Sequence, residues 1–366
     1  MKKTIIIILL AVFLVACEKE PIKIGFIADI STKQSQLGVD ARNSAELYIK
    51  NINENGGING RMLELIIKDD GSDQDQAISM HNEFKDEGIQ FVIGHLTSDM
   101  SDAVLKSQDE SLLFLSPSMS TDGMSNLDDY FIRTSPISSR QGKIMSDYCH
   151  VKDIDDIIIL YDVSNEEYTK NLMDYFISFY ENGSYKVRET VAFNSKEDNL
   201  QDVVKAIVDL NPTTVFMISQ ANDTAFITQG IERTHDIDLL SVSWSMTQDL
   251  IQTGGSAVED GIFIGIYVPE TPSDLYNDFV DNYRDTFNYE PSFISAITYD
   301  IMVILEEGLK HADELSPQGL KSYIINREYT GLQETFSIDQ YGDNDKRYLL
   351  YQLRDGEFTP MREWEN

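Results

Sequence analysis

Residues 91–116 read FVIGHLTSDMSDAVLKSQDESLLFLS, and this stretch decides the fold. It opens with a short β-branched run (91–94), which predicts a buried strand, and passes through a loop into a predicted helix (98–107). A second apolar run (112–116) predicts the next strand. Because strands that alternate with helices form parallel sheets covered by those helices, the stretch predicts an α/β fold.

The same alternation extends outward from this stretch, from Pro21 to about residue 268. Two consecutive helices without a strand between them, 273–287 and 292–310, then break it, which predicts that the chain has returned to its first lobe. At about 150 residues per domain, the 366 residues predict two lobes. A final antiparallel-looking group of strands is expected at 334–339, 348–354 and 357–361.

The composition excludes one class of partner. With 62 acidic against 29 basic side chains, the formal charge is −33, whereas nucleic-acid affinity comes mainly from Lys and Arg that neutralise phosphates. We therefore expect no nucleic-acid partner. The 18 Tyr and 17 Phe allow large cores, so the acidic side chains belong to a solvated surface that favours solubility.

The N-terminus has the pattern of a secretory signal peptide. Lys2 and Lys3 precede an apolar run (5–16) that spans only about 18 Å as a helix, short of the roughly 30 Å hydrocarbon core of a bilayer. The segment 14–17, LVAC, resembles the lipobox of bacterial lipoproteins. That resemblance implies removal of residues 1–16 and lipidation of Cys17, which would anchor the chain to a bacterial membrane. The alternative is a cysteine that lies in an apolar stretch by chance.

Several segments together resemble the branched-chain amino-acid-binding family of periplasmic solute-binding proteins, which serve ABC importers. The likeness spans nearly all of the chain after the signal segment. The segments, in order, are IKIG (22–25), INENGGING (52–60), KDD (68–70), FVIGHLTS (91–98), LSPSMS (115–120), RT (133–134) and QG (141–142).

The resemblance implies the type I periplasmic binding fold, in which two doubly wound, Rossmann-like lobes are joined by a hinge of three crossings. Lobe 1 would comprise residues 22–137 and 269–331, and lobe 2 residues 138–268 and 332–366. The resemblance also implies an extracytoplasmic location, an ABC permease as partner, and closure of the two lobes on a small ligand.

The ends of two predicted strands indicate the site. Thr97 and Ser98 lie between a strand and a helix, where a hydroxyl and free backbone N–H groups suit a carboxylate. Ser118, Met119 and Ser120 occupy the equivalent turn after the next strand. By resemblance, Ser98, Ser118 and Ser120 hold the α-carboxylate and α-ammonium of the ligand. The alternative is ordinary helix capping and turn chemistry.

On the opposing lobe, Tyr168 matches a family tyrosine that closes over the ligand, although it could equally be a core aromatic at a helix start. Elsewhere the chain departs from the family. Leu37 and Ala221 occupy positions where the family has tyrosines. Trp244 lies near the position at which the family has the acid that binds the ligand's ammonium, and this chain lacks that acid. Trp244 could pack against a flat or long apolar side chain, or it could belong to the core of the lobe.

The lost acid leaves the ammonium of an amino-acid ligand without its usual partner. Asp223 and Glu167 are the nearest candidates by position. Alternatively, the ligand is not an α-amino acid but an amide, a urea or an aromatic carboxylate.

Enzyme and metal functions lack sequence support. The five histidines form no H-x-x-x-H pair, the two cysteines form no C-x-x-C motif, and no G-x-S-x-G elbow occurs. We therefore expect no catalytic residue, no metal and no cofactor. The sequence predicts a lipid-anchored receptor that closes on a small amino-acid-like ligand and presents it to an ABC importer. The alternative from another class is a sensor of the same fold that signals to a regulatory partner.

Overall fold

The computed structural model describes residues 19–32, 35–266 and 272–362. The signal segment and Cys17 lie outside these residues. Within the described ranges, no helix has the length and apolar character needed to cross a membrane.

The first sheet has five parallel strands in the order β2-β1-β3-β4-β5. Strands β1, β3, β4 and β5 are almost fully buried because helices cover them, as in other parallel sheets, whereas the edge strand β2 is mostly half-buried. Asp73 caps the second of its helices by accepting a hydrogen bond from the Gln76 N–H, at 2.8 Å. The elements are β1 (Ile22–Ala28), α1 (Gln36–Glu54), β2 (Leu63–Asp69), α2 (Gln74–Asp86), β3 (Phe91–Ile93), α3 (Ser101–Lys106), β4 (Leu113–Ser116) and β5 (Phe131–Arg133).

The chain then builds the parallel part of a second sheet, again with helices between the strands. Short 3₁₀ turns at 163–165 and 243–245 follow two of these strands. The elements are α4 (Ser138–Val151), β6 (Asp156–Asp162), α5 (Glu166–Tyr180), β7 (Lys186–Phe193), α6 (Leu200–Asp209), β8 (Thr214–Ile218), α7 (Ala221–Glu232), β9 (Asp238–Val242), α8 (Gln248–Gly254) and β10 (Ile262–Ile266).

The predicted pair of consecutive helices returns to the first sheet. Helix α10 packs against α1, where the Ser44 hydroxyl donates to the Ser295 carbonyl oxygen at 2.7 Å. The elements here are α9 (Asp274–Phe287), α10 (Phe293–His311), α11 (Pro317–Ile324), β11 (Arg327–Thr330) and β12 (Thr335–Ile338). The sequence pattern predicted that β12 would group with the two later strands. It pairs with β11 instead. Strand β11 escaped prediction because it is mostly exposed and lacks an apolar pattern.

Strands β13 (Tyr348–Arg354) and β14 (Glu357–Pro360) complete the second sheet, whose order is β14-β13-β10-β9-β8-β6-β7. Both pair antiparallel, as predicted, while β6 to β10 are parallel. The structure thus confirms the α/β class with two separate, mainly parallel sheets.

Two of the segments that connect the sheets are tied together. Arg133, which is fully buried, donates from Nε to the Asp343 carboxylate at 2.7 Å. Asn344 Nδ2 donates to the Ser135 carbonyl oxygen at 2.8 Å. We call residues 134–137 and 339–347 the first and the last crossing. The bonds of Arg133, at the end of β5, and of Asn344 therefore tie these two crossings to each other.

Candidate ligand-binding site

A cavity lies between the two sheets, at the carboxyl ends of their parallel strands. It encloses about 440 Å³ of empty space, part of it continuous with solvent. Its lining combines apolar side chains with a few convergent polar groups, which is typical of small-molecule sites. The residues that line it are Leu37, Leu96, Thr97, Ser98, Ser118, Ser120, Ser135, Gln141, Asn165, Tyr168, Ser243, Trp244, Ile266 and Phe293.

The loops after β3 and β4 form one wall of the cavity, and Ser98 joins them. The Ser98 Oγ accepts hydrogen bonds from the backbone N–H groups of Ser120 and Thr121, both at 3.2 Å. A hydroxyl oxygen has two acceptor positions and one proton. Since both acceptor positions are occupied, the remaining hydrogen-bonding capacity of Ser98 is its proton, which suits a ligand carboxylate.

Ser118 has the opposite polarity. Its hydroxyl donates to the Leu96 carbonyl oxygen at 2.6 Å, so its oxygen is left to accept. In the part of the chain that the structure describes, the side chains of Thr97 and Ser120 make no hydrogen bond, and both line the cavity. The Ser120 carbonyl oxygen accepts from the Ser138 N–H at 2.8 Å, which fixes this loop against the start of α4.

Aromatic and amide side chains of the second sheet form the opposite wall. Tyr168 lies in the first turn of α5 and meets Trp244 edge to face, with ring centroids 6.1 Å apart. Burial raises the pKa of Tyr168 far above its usual range, so its phenol stays protonated. Asn165 Oδ1 accepts from the Asp99 N–H at 3.1 Å, and this bond joins the two walls beside the cavity.

None of the lining side chains that the structure describes is charged. Any charge on a ligand must therefore be balanced by hydroxyls, amides and backbone groups. The apolar part of the lining comes from Leu37, Leu96, Ile266, Phe293 and the Trp244 ring.

Seven of the ten sequence-predicted ligand residues line this cavity, and Met119, Ala221 and Asp223 do not. The Met119 side chain turns away from its serine neighbours into the apolar core beneath the first sheet. Ala221 packs in the core of the second sheet. Asp223 accepts from Gln220 Nε2 at 3.0 Å, and burial raises its pKa to about 6. Glu167, the other candidate for the ammonium, is exposed and does not line the cavity.

Half of the lining residues were not predicted from the sequence. Ser243 directly follows β9 and Ile266 ends β10, so the rule that ligands bind at strand ends could have indicated both. Gln141 belongs to the QG segment (141–142) that resembles the family, but no role was predicted for it. No local pattern marks Ser135 in the first crossing or Phe293 at the start of α10, because their place depends on how the lobes meet.

A buried polar chain lies beneath the Thr97–Ser98 loop. His95 Nδ1 bonds the Asp70 carboxylate at 2.6 Å, the two Nε2 atoms of His95 and His81 are 2.7 Å apart, and His81 Nδ1 bonds the Ser107 hydroxyl at 2.6 Å. Burial, then the charges of His95 and Lys85, lower the pKa of His81 to about 3. Among the described residues, no cluster suits a metal ion.

Comparisons with known proteins agree with this architecture. The family model described as periplasmic binding protein matches residues 21–357. A Leu-, Ile-, Val-, Thr- and Ala-binding protein of Pseudomonas aeruginosa is 22% identical over 342 residues, which cover 88% of this chain and 87% of that protein. A branched-chain amino-acid transporter substrate-binding protein of Streptococcus pneumoniae, solved with isoleucine, superposes with a TM-score of 0.83 at 21% identity over 93% of this chain and 99% of the other. A solute-binding protein of Rhodopseudomonas palustris, solved with 3,4-dihydroxybenzoic acid, gives 0.83 at 18% identity over 93% and 96%.

Two mainly parallel sheets with a polar cavity between their strand ends define a two-lobed solute-binding protein. The chain belongs to the branched-chain amino-acid-binding family of type I periplasmic binding proteins. The family is that of extracytoplasmic solute-binding proteins, so the expected class is confirmed.

Proposed function

We propose that this chain is the receptor of an ABC importer and that it binds a small α-amino acid, or a close analogue, between its lobes. The observation that carries the proposal is the convergence of Ser98, Ser118 and Ser120 from two adjacent loops on one cavity that Tyr168 faces. The Pseudomonas aeruginosa relative is named for binding Leu, Ile, Val, Thr and Ala, and the Streptococcus pneumoniae protein was solved with isoleucine. Both support the same ligand class.

The hydrogen bonds that the site offers could account for most of the free energy of micromolar binding. A hydrogen bond to a charged group contributes about 1.5 to 3 kcal/mol. Three or four such bonds, from Ser98, Ser118, Ser120 and the backbone, would supply most of the roughly −8 kcal/mol of micromolar binding. A zwitterion also suits a chain with a formal net charge of −33, because its own net charge is zero. A carboxylate without an ammonium group would be repelled by the negative charge of the protein.

The mechanism we propose is hinge closure between the predicted lobes, 22–137 with 269–331 and 138–268 with 332–366, except that β12 pairs with β11 and would therefore move with lobe 1. The loops of lobe 1 would take the carboxylate, and Tyr168 and Trp244 of lobe 2 would complete the burial. The permease would recognise the closed form. The hydrogen bond between Asn165 and Asp99 supports this mechanism because it forms only when the walls are close.

Lipid anchoring at Cys17 is part of the proposal and rests on the N-terminal sequence alone. A Cys17→Ala variant is expected to leave the membrane fraction, whereas the unchanged chain stays in it and gains the mass of a diacylglyceryl group. Equal partitioning of both chains would contradict the anchor.

A second ligand class, aromatic carboxylates, is favoured by one observation. The described lining holds no charged side chain that would pair with an ammonium, while Trp244 and Phe293 offer flat apolar contacts. The Rhodopseudomonas palustris structure that binds dihydroxybenzoic acid supports this alternative.

A thermal-shift panel tests the proposal. The chain from residue 18 onward is heated with aliphatic amino acids, short amides, urea and aromatic acids. A ligand at 100 times its dissociation constant adds about 2.7 kcal/mol to the free energy of unfolding. Shifts with aliphatic amino acids are expected. Shifts with aromatic acids or amides alone would contradict the amino-acid assignment, and no shift with any compound would contradict the receptor function.

A further inference from the structure

A chain of hydrogen bonds behind the second wall determines which atoms of that wall can donate and which can accept. It begins at the Pro136 carbonyl oxygen in the first crossing, which can only accept. The Tyr348 hydroxyl donates to it at 2.7 Å. Since a phenol has one proton, the Tyr348 oxygen must then act as the acceptor for Gln141 Nε2, at 2.9 Å.

This assignment fixes the orientation of the Gln141 amide. With Nε2 directed at Tyr348, the Oε1 atom is directed at Tyr168, whose hydroxyl lies 3.1 Å away and must donate. Because the phenol proton is already given to Gln141, the Tyr168 oxygen can offer only lone pairs to the cavity that it lines.

Both walls consequently present hydrogen-bond acceptors to the cavity. The Ser118 oxygen accepts on the first wall, and the Tyr168 oxygen accepts on the second, where Asn165 Nδ2 is left as a donor. On the first wall Ser98 offers a proton, because its oxygen already accepts from two backbone N–H groups. On the second wall Gln141, only 1% exposed, donates from Nε2 to Tyr348 and accepts at Oε1 from Tyr168, which leaves the Tyr168 oxygen as an acceptor. A ligand that carries only acceptors would leave the oxygens of Tyr168 and Ser118 unpaired, and an unpaired buried polar group is costly.

We propose that Gln141 is a positioning residue which, through Tyr348 and Pro136, holds the Tyr168 phenol oxygen as a hydrogen-bond acceptor, so that the site selects carboxylates that also carry an N–H or O–H donor. This inference rests on the proposed function and narrows its ligand class. Amino acids meet the requirement through their ammonium group and hydroxylated aromatic acids through their hydroxyl, whereas plain alkyl or aryl carboxylates do not.

Selectivity is measured with matched pairs of probes, L-leucine against 4-methylpentanoate and 4-hydroxybenzoate against benzoate, by calorimetric titration. The donor-bearing member of a pair that binds is expected to bind at least tenfold more tightly. Tyr168→Phe and Tyr348→Phe should each reduce that ratio at least threefold, although Tyr348 does not line the cavity. The control is Tyr180→Phe in the same helix as Tyr168, whose hydroxyl donates to the Ile154 carbonyl at 2.9 Å, and it should leave the ratio unchanged. Equal binding within the pair, or an unchanged ratio in Tyr348→Phe, would overturn the inference.

A second measurement needs no ligand and separates this inference from the proposed function. Urea unfolding of Tyr168→Phe, Tyr348→Phe and the double variant forms a double-mutant cycle. Because both residues bond Gln141, the effect of the double variant on the unfolding equilibrium should differ from the product of the single effects by about threefold or more. A simple product would overturn the hydrogen-bond chain. If no compound of the panel binds, the proposed function is wrong, whereas the double-mutant cycle still tests whether the chain of hydrogen bonds exists.

Discussion

Replacement of Ser98 by alanine removes the group that joins the two ligand loops. The ligand would lose one charge-assisted hydrogen bond, which contributes about 1.5 to 3 kcal/mol. At about 1.4 kcal/mol per factor of ten, the dissociation constant should rise roughly 10- to 100-fold. The N–H groups of Ser120 and Thr121 would also lose their acceptor. At about 0.5 to 1.5 kcal/mol for each bond, the free energy of unfolding should fall by about 1 to 3 kcal/mol.

A matched variant separates contact with the ligand from support of the loop. Ser138 is fully buried and donates from Oγ to the Ser120 carbonyl at 2.9 Å, but it does not line the cavity. Ser138→Ala should lower the free energy of unfolding by about 1 kcal/mol and change the dissociation constant less than threefold. Calorimetric titration with the amino acid that gives the largest thermal shift, together with urea unfolding, measures both effects. Unchanged affinity in Ser98→Ala, or an equal loss in Ser138→Ala, would refute the reasoning.

Two further variants test the electrostatics. Asp223→Asn should add about 1 to 3 kcal/mol of stability at pH 8, where burial penalises the ionised carboxylate, and nothing at pH 4, below the native pKa of about 6. Ligand affinity should not change, and a tenfold loss would show that Asp223 meets the ammonium after all. His81, with its native pKa lowered to about 3, stays neutral while the unfolded chain takes up a proton below about pH 6.5. Wild-type stability therefore falls on acidification, and His81→Gln should reduce that slope by up to about 1.4 kcal/mol per pH unit between pH 6 and 4. Identical slopes in urea unfolding would contradict the assignment.

The fold was largely predictable because its strands are buried and bounded by turn residues. The predicted strands 91–94, 112–116 and 348–354 match β3, β4 and β13 to within one residue. The failures occur where that signal is weak. Strand β5 has only three residues, and β11 is exposed on most of its length. Helix α8 is short and was not predicted.

The site was predictable where it follows from strand order and not where it depends on how the lobes meet. Adjacent parallel strands bring Ser98 and Ser118 together, since their carboxyl ends share an edge. Phe293 comes from a helix nearly two hundred positions later, and nothing local marks it as a lining residue. Gln141 shows a further limit. Its orientation follows only from the carbonyl of Pro136 and the proton of Tyr348, and the sequence does not display a hydrogen-bond network.

The most direct test of a small ligand held between the lobes is a crystal structure of the chain from residue 18 grown with a saturating concentration of the compound that gives the largest thermal shift. The expected density lies in the cavity between the two sheets, with a carboxylate oxygen 2.7 to 3.0 Å from Ser98 Oγ and a donor facing Tyr168. Ligand density on the outer surface, with the cavity empty or the carboxylate directed away from Ser98, would contradict the account.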